Sequence, residues 1–322
     1  MIPQTRLRPY SMHWMKYCAM VECEILADLD ALLVGVPKAG TTWLANALSQ
    51  HPKVNLSNPK EPNIIASHHG TFGRDHSEPD WSRYDDCFKG KGLRIEASVH
   101  TFACPLAPSR LATKFPQVPM ILCLREPVSR TVSHWKMIRD TEEDVRNGAD
   151  WADFSVAWED ERLHADSHYA RSMERWLGHF PREQFLILDS QRMREEPQSI
   201  LREVEEFLGL DTHNYNLSSS RHSNSASSRR PITGFGKAMK SFFSLIPNII
   251  KGPIVRRLRA NDINIYAAPI ISRKPDKLSA VEYHYSICGE TLAKDLRAFE
   301  SLTGFSTAHW VSKIDSLREA DI

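Results

Sequence analysis

The chain has 322 residues, with 41 Lys and Arg against 40 Asp and Glu and a net charge of +1. That length can bury the core of one large α/β domain or two modest ones, and so even a charge balance argues against broad nucleic-acid coating as the main function. The cysteines at 18, 23, 87, 104, 123 and 288 have no metal-ligand spacing, which favours free thiols in a reducing compartment.

Residues 1–24 read as an N-terminal extension. Arg6, Arg8, Lys16 and Glu22 interrupt any apolar core there, so the segment does not read as a signal peptide or anchor. No apolar run elsewhere reaches membrane length, and a cytoplasmic location fits. A luminal one is the alternative if the chain is a trimmed piece of a longer parent.

Ile25 to Val36 is apolar enough for a strand. It runs into Gly35-Val36-Pro37-Lys38-Ala39-Gly40-Thr41-Thr42-Trp43, a glycine-bounded loop with one lysine and two hydroxyls, and then into a helix over Thr41 to Gln50. Strand, loop and helix N-terminus in that order make a cradle for an oxyanion. The nucleotide-triphosphatase loop ends in glycine, lysine and serine or threonine. Here Lys38 precedes Gly40, so the lysine approaches the anion from a different place. The plainer alternative is a tight turn between an ordinary strand and helix.

Pro52 and Asn58-Pro59-Lys60-Glu61-Pro62 break regular structure and put Glu61 in a constrained connection. Residues 64–92, rich in His, Gly, Asp and aromatic side chains, read as a surface excursion over an acceptor cleft. The His68-His69 pair fits an exposed loop or an acceptor pocket better than a metal site. A strand is predicted over Leu93 to Val99, a helix over 106–115 and a strand over Pro119 to Arg125. Pro127 then opens a helix, on which Ser129 and Ser133 lie one turn apart and are expected to face the same cleft as Arg125. Asp140 to Asp150 reads as a loop or solvated helical end. Tyr169 to Phe180 reads as a helix, Gln184 to Leu188 as a short strand, and Pro197 to Leu208 as an amphipathic helix closed by Gly209.

From Arg221 through Arg259 there is no Asp or Glu, while Lys and Arg recur. Such a segment suits an anionic ligand, and its apolar face from Met239 to Ile249 can dock on the core, a membrane or a partner. A helical signal over Leu278 to Leu302 follows, with Phe305 and Trp310 packing the end of the chain. Alternating strands and helices predict an α/β fold, a single P-loop-like three-layer domain whose central, mainly parallel sheet is flanked by helices. Its expected limits are 25–310, with 217–259 as a basic lid and 311–322 as a C-terminal tail.

The loop at 35–43, taken with Leu124-Arg125-Glu126-Pro127-Val128-Ser129-Arg130-Thr131-Val132-Ser133-His134-Trp135, resembles the sulfotransferase superfamily. The order and separation of the two motifs match, and the likeness continues through Tyr169 to Leu177, Phe180-Pro181 and Phe207-Leu208-Gly209-Leu210. The resemblance implies 3′-phosphoadenosine 5′-phosphosulfate (PAPS) as sulfonate donor, adenosine 3′,5′-bisphosphate (PAP) as product, and no metal. It gives Lys38 the transferable sulfonate and bridging oxygen, and Gly40, Thr41, Thr42 and Trp43 the rest of the 5′ end. Arg125 and Ser133 take the 3′-phosphate, for which a guanidinium fork is chemically apt. Arg229, Arg230 and Lys237 are candidates from a cofactor-covering loop.

Lys60-Glu61 resembles the glycan-modifying branch of that superfamily, which makes Glu61 the expected general base. The aryl and steroid branch uses a histidine instead, which keeps His100 as the alternative. Lys60, His68, His69, Trp81, Tyr169 and Arg171 are the candidate acceptor contacts. The expected reaction is sulfonate transfer from PAPS to a hydroxyl of a carbohydrate, glycolipid or small natural-product acceptor. No nucleic-acid partner or transmembrane segment is expected, and peripheral membrane contact stays open. The rival readings are a nucleotide-dependent phosphotransferase and a nonenzymatic module that binds an anionic partner.

Overall fold

In a computed structural model of the protein the described residues are 29–217 and 281–319. The strands in chain order are β1 (Ala31–Gly35), β2 (Val54–Leu56), β3 (His68–His69), β4 (Gly73–Arg74), β5 (Leu93–Glu96), β6 (Met120–Leu124) and β7 (Phe185–Asp189). Five of them form one sheet in the order β2-β5-β1-β6-β7, and every pairing in it is parallel. β1 and β6 are buried at every position, which is why their sequences are unbroken apolar runs rather than alternating ones. β3 and β4 pair separately as a short antiparallel ribbon, His68 opposite Arg74.

Helices flank the sheet: α1 (Thr41–Leu48), α2 (Arg83–Cys87), α3 (Ala107–Lys114), α4 (Pro127–Thr141), α5 (Glu143–Arg146), α6 (Phe154–Trp158), α7 (Glu161–His164), α8 (Tyr169–Leu177), α9 (Arg192–Glu195), α10 (Pro197–Leu208), α11 (Val281–Thr303) and α12 (Ala308–Glu319). α8 buries Tyr169, Ala170, Met173 and Trp176 along one face, the spacing of an amphipathic helix. α11 packs on α8, α4 and α12. α10 ends where Gly209 adopts φ 65°, a left-handed cap that glycine reaches without steric cost.

The differences from the sequence reading are local. The strand expected from Ile25 begins at Ala31, with Leu29 and Asp30 leading in; positions 25–28 lie outside the described residues. The stretch after Pro52 contains β2, whose three residues exist because they pair with β5. Within 140–150, Asp144 is buried and accepts a 2.8 Å bond from Arg139 Nη1, so that stretch is anchored rather than only solvated. The expected tail from 311 is instead the body of α12, where Ile314 is fully buried. Most of the basic segment and its apolar face, positions 218–280, lies outside the described residues. Among the described residues no helix is long and apolar enough to cross a membrane, and Cys87, Cys104, Cys123 and Cys288 are buried free thiols.

Gly35 ends β1 with φ 147°, and a Cβ there would meet the Val99 carbonyl oxygen at 2.6 Å. Backbone cannot retreat as a flexible side chain can. Gly35→Ala should therefore cost about 2–4 kcal/mol, seen as a lowered midpoint in urea unfolding. An unchanged midpoint would show that the loop does not need this close approach.

Candidate active site

In an open parallel sheet, ligands bind beyond the carboxyl ends of the strands, where the strand order reverses. β1 is that point here, because the chain runs to β2 and β5 on one side and to β6 and β7 on the other. The connections leaving these strands carry Lys38 after β1, Glu61 after β2, His100 after β5 and Arg125 after β6. The fold thus puts all four candidates at one edge.

The loop after β1 turns sharply. Lys38 has φ 72° and Gly40 φ 89°; the lysine's left-handed backbone is a strained choice for a side chain other than glycine, of the kind that clusters at ligand sites. Gly40 is the N-cap of α1, and no side chain caps that helix. Its first N–H groups are therefore donors left for an anion. Lys38 Nζ lies 3.7 Å from Met137 Sδ, at the foot of the groove between this loop and α4.

The two motifs meet directly: Arg125 Nη1 donates to the Lys38 carbonyl oxygen at 3.3 Å. Burial lowers the Arg125 pKa, and the neighbouring positive charge of Arg194 lowers it further. A guanidinium lowered by burial and by a like charge beside it favours an anion between the two. Ser133 is half-buried in the second turn of α4, and its hydroxyl bonds no described residue. Ser129 does not share that cleft. Its hydroxyl bonds the Glu126 carboxylate and lies 3.2 Å from both Tyr285 Oη and Lys313 Nζ, so the common face expected from its spacing is covered by α11 and α12. Glu126 itself caps α4 by accepting from the Val128 and Ser129 amides.

Lys60 and Glu61 form a pair at 2.7 Å, and Lys60 Nζ also reaches the Ala97 carbonyl oxygen at 3.3 Å. Nearby, Glu96 is fully buried and accepts the Tyr84 hydroxyl. Burial raises its carboxyl pKa, opposed by hydrogen bonds, with the Glu61 charge adding to the rise. His100 is buried, its Nδ1 3.1 Å from Asp166 Oδ2. Burial alone would raise the Asp166 carboxyl; the charge and hydrogen bond of His100, with Arg130, outweigh it and hold the carboxyl low. The carboxylate fixes the imidazole with Nδ1–H toward it and Nε2 outward, the arrangement of a positioned base.

The acceptor candidates separate. His68 and Arg171 line one cavity of about 220 Å³ together with Arg74, Arg162 and Arg175. His69 is exposed on the β3–β4 ribbon. Trp81 stacks on Tyr84 and meets Phe115 edge-on, so it anchors the loop. Tyr169 is fully buried and donates its hydroxyl to the Arg125 carbonyl oxygen at 2.7 Å, which places it behind the turn that follows β6. Arg229, Arg230 and Lys237 lie outside the described residues.

A family model for the sulfotransferase domain matches residues 28–241. The chain belongs to the sulfotransferase domain family. Mouse bifunctional heparan sulfate N-deacetylase/N-sulfotransferase 4 is 30% identical over 203 residues, 58% of this chain and 23% of that protein. Mouse heparan sulfate glucosamine 3-O-sulfotransferase 3B1 is 28% identical over 191 residues, 56% of this chain and 46% of the relative. The chain thus matches less than half the length of either. A solved sulfotransferase from Alicyclobacillus acidocaldarius shares the fold with a TM-score of 0.52 at 19% identity, covering 88% of this chain and 99% of that one. The sulfotransferase reading of the two motifs and the α/β fold both hold, and the relatives' names agree with the glycan-modifying branch.

The sequence reading did not single out Asp166, Arg194, Arg74, Arg162 or Arg175. The run His164-Ala165-Asp166-Ser167-His168 is dense in polar groups just ahead of α8, and that density was the available signal for Asp166. Arg194 carries no signal beyond following β7.

Proposed function

We propose that this sulfotransferase moves the sulfonate of PAPS to a hydroxyl of a carbohydrate or related acceptor and releases PAP. The observation that carries the reading is the junction of Arg125 with the Lys38 carbonyl, which unites an anion loop and a guanidinium at one sheet edge. The donor set fits the cofactor: an uncapped helix start for the 5′ end, and Arg125, Ser133 and Arg194 for the 3′-phosphate. When bound, the cofactor supplies an activated sulfonate on a phosphate leaving group.

Lys38 would hold the sulfonate end of the donor and stabilise the negative charge left on the leaving phosphate. Glu61 accepts the acceptor's hydroxyl proton as that oxygen attacks sulfur, with Lys60 holding the carboxylate in place. Arg125 and Ser133 bind the far end and fix the donor's orientation, which is where much of the rate acceleration arises. A specific observation favours a second reading of the base. The Asp166–His100 pair is oriented for proton acceptance at Nε2, whereas the Glu61 carboxylate is already paired with Lys60.

An acceptor screen with sulfur-labelled PAPS and mass spectrometry of the product tests the reaction; an absence of transfer to every hydroxyl acceptor would reject it. Arg125→Ala should weaken PAP binding by about 10–100-fold, the worth of a charge-assisted pair. Titration calorimetry checks this, and unaltered affinity would remove Arg125 from the phosphate site.

A further inference from the structure

Four arginines converge on the cavity that begins three residues past His100. Arg74 comes from β4, Arg162 from α7, and Arg171 and Arg175 from one face of α8, with His68, Ala103, Pro105, Glu161, Ala165 and Ser172 completing the wall. Their partners differ. Arg162 grips the Asp160 carboxylate, with Nη2–Oδ2 at 2.6 Å, and lies over the Phe72 ring. Arg171 pairs with Glu161 at 3.0 Å on the exposed rim. Among the described residues Arg74 donates to the Thr71 and Gly73 carbonyl oxygens alone. Arg175 donates to the Ala103 carbonyl oxygen and the Ser172 hydroxyl, while its buried Nε has no partner among the described residues.

The guanidinium groups of Arg74, at the mouth, and Arg175 thus have no carboxylate partner among the described residues. Even with Asp160, Glu161 and the buried Asp166 behind the wall all counted, the cavity keeps an excess of positive charge. Burial lowers the pKa of both Arg74 and Arg175. His68 does not add to the charge: burial, with Arg74 next, lowers its pKa to about 4, leaving a neutral hydrogen-bonding group at neutral pH. A buried donor without a partner is costly, and a carboxylate or sulfate meets a guanidinium with two parallel bonds.

We infer that this cavity is an anion subsite, in which Arg74 and Arg175 take a carboxylate or sulfate ester carried by the acceptor next to its reacting hydroxyl. The inference rests on the acceptor reading above and deepens it by giving the acceptor an acidic group. Continuity supports it: Asp166 orients His100 and directly follows Ala165 in the wall, and Ala103 and Pro105 belong to the same connection as His100. At 220 Å³ the cavity is below the roughly 300–1,000 Å³ of a complete small-molecule site. It holds one group of a longer ligand.

The test uses the full chain and three probes: 4-nitrophenyl β-D-glucuronide, the matching neutral glucoside, and D-glucose 6-sulfate. Binding is read by calorimetry with and without PAP. At least one acidic probe should bind about tenfold or more tightly than the glucoside, and the tighter of the two identifies carboxylate or sulfate as the group recognised. Arg74→Ala and Arg175→Ala should each remove most of that preference, with Arg175→Lys restoring part of it. If Arg175→Ala does not fold, Arg74→Ala alone carries the test, since its side chain lies at the exposed mouth. Equal binding of acidic and neutral probes, or an acid preference kept in folded Arg74→Ala, overturns the inference. Absence of PAP binding with the acid preference intact would reject the cofactor reading and leave the subsite standing.

Discussion

Lys38→Ala lowers the turnover of PAPS by about 10²–10³-fold, the usual loss when one donor to a developing negative charge is removed. The effect is confined to the chemical step. Lysine already sits at φ 72° in the loop, and alanine bears the same backbone strain, so the unfolding midpoint stays near that of the parent. PAP affinity should change less than tenfold, because in the proposed site Arg125, Ser133 and the start of α1 would hold the rest of the nucleotide. Single-turnover transfer of labelled sulfonate, set beside PAP titration, separates the two quantities. A folded Lys38→Ala protein with near-parental turnover would show that the loop binds an anion without acting on it.

Glu61→Gln should cost about 10²–10⁴-fold in kcat, the range for loss of a positioned base. The amide keeps the size of the carboxylate but cannot take a proton. It also releases Lys60, which retains the Ala97 carbonyl oxygen at 3.3 Å, so the turn is expected to survive. His100→Ala and Asp166→Asn are the companion measurements. If Glu61→Gln keeps most of its activity while both companions lose theirs, the proton goes to His100 Nε2 and the carboxylate of Asp166 sets the tautomer. Loss in Glu61→Gln alone leaves His100 as a wall of the acceptor site.

The central strands were legible because burial on both faces forces unbroken apolar runs, as in Leu32-Leu33-Val34 and Met120-Ile121-Leu122. β2 was not, since Val54–Leu56 is too short for a periodic signal and is specified by its pairing with β5. Lys38 and Arg125 could be singled out as candidates because each follows its strand within a few residues and local pattern predicts such loops. The grouping of Asp166 with Arg74 and Arg175 could not. These residues converge only after the β3–β4 ribbon and α8 are brought against the connection after β5, a relation that no short window contains. Ser129 shows the limit from the other side: helical spacing correctly put it one turn from Ser133, but could not say that Tyr285 and Lys313 would lie against it.

Those same two residues complete the shell of Glu126. Tyr285 donates to its carboxylate at 2.8 Å from 159 positions away and Lys313 at 3.3 Å from 187 positions away. During synthesis a chain folds from its N-terminal side first, so the anion loop and Arg125 leave the ribosome long before the groups that clasp the start of α4. A nascent or C-terminally shortened chain can therefore contain every motif residue and still hold Arg125 on an unfinished helix end. Assembly of the proposed site is in this sense a late event, timed by α12 rather than by the motifs themselves.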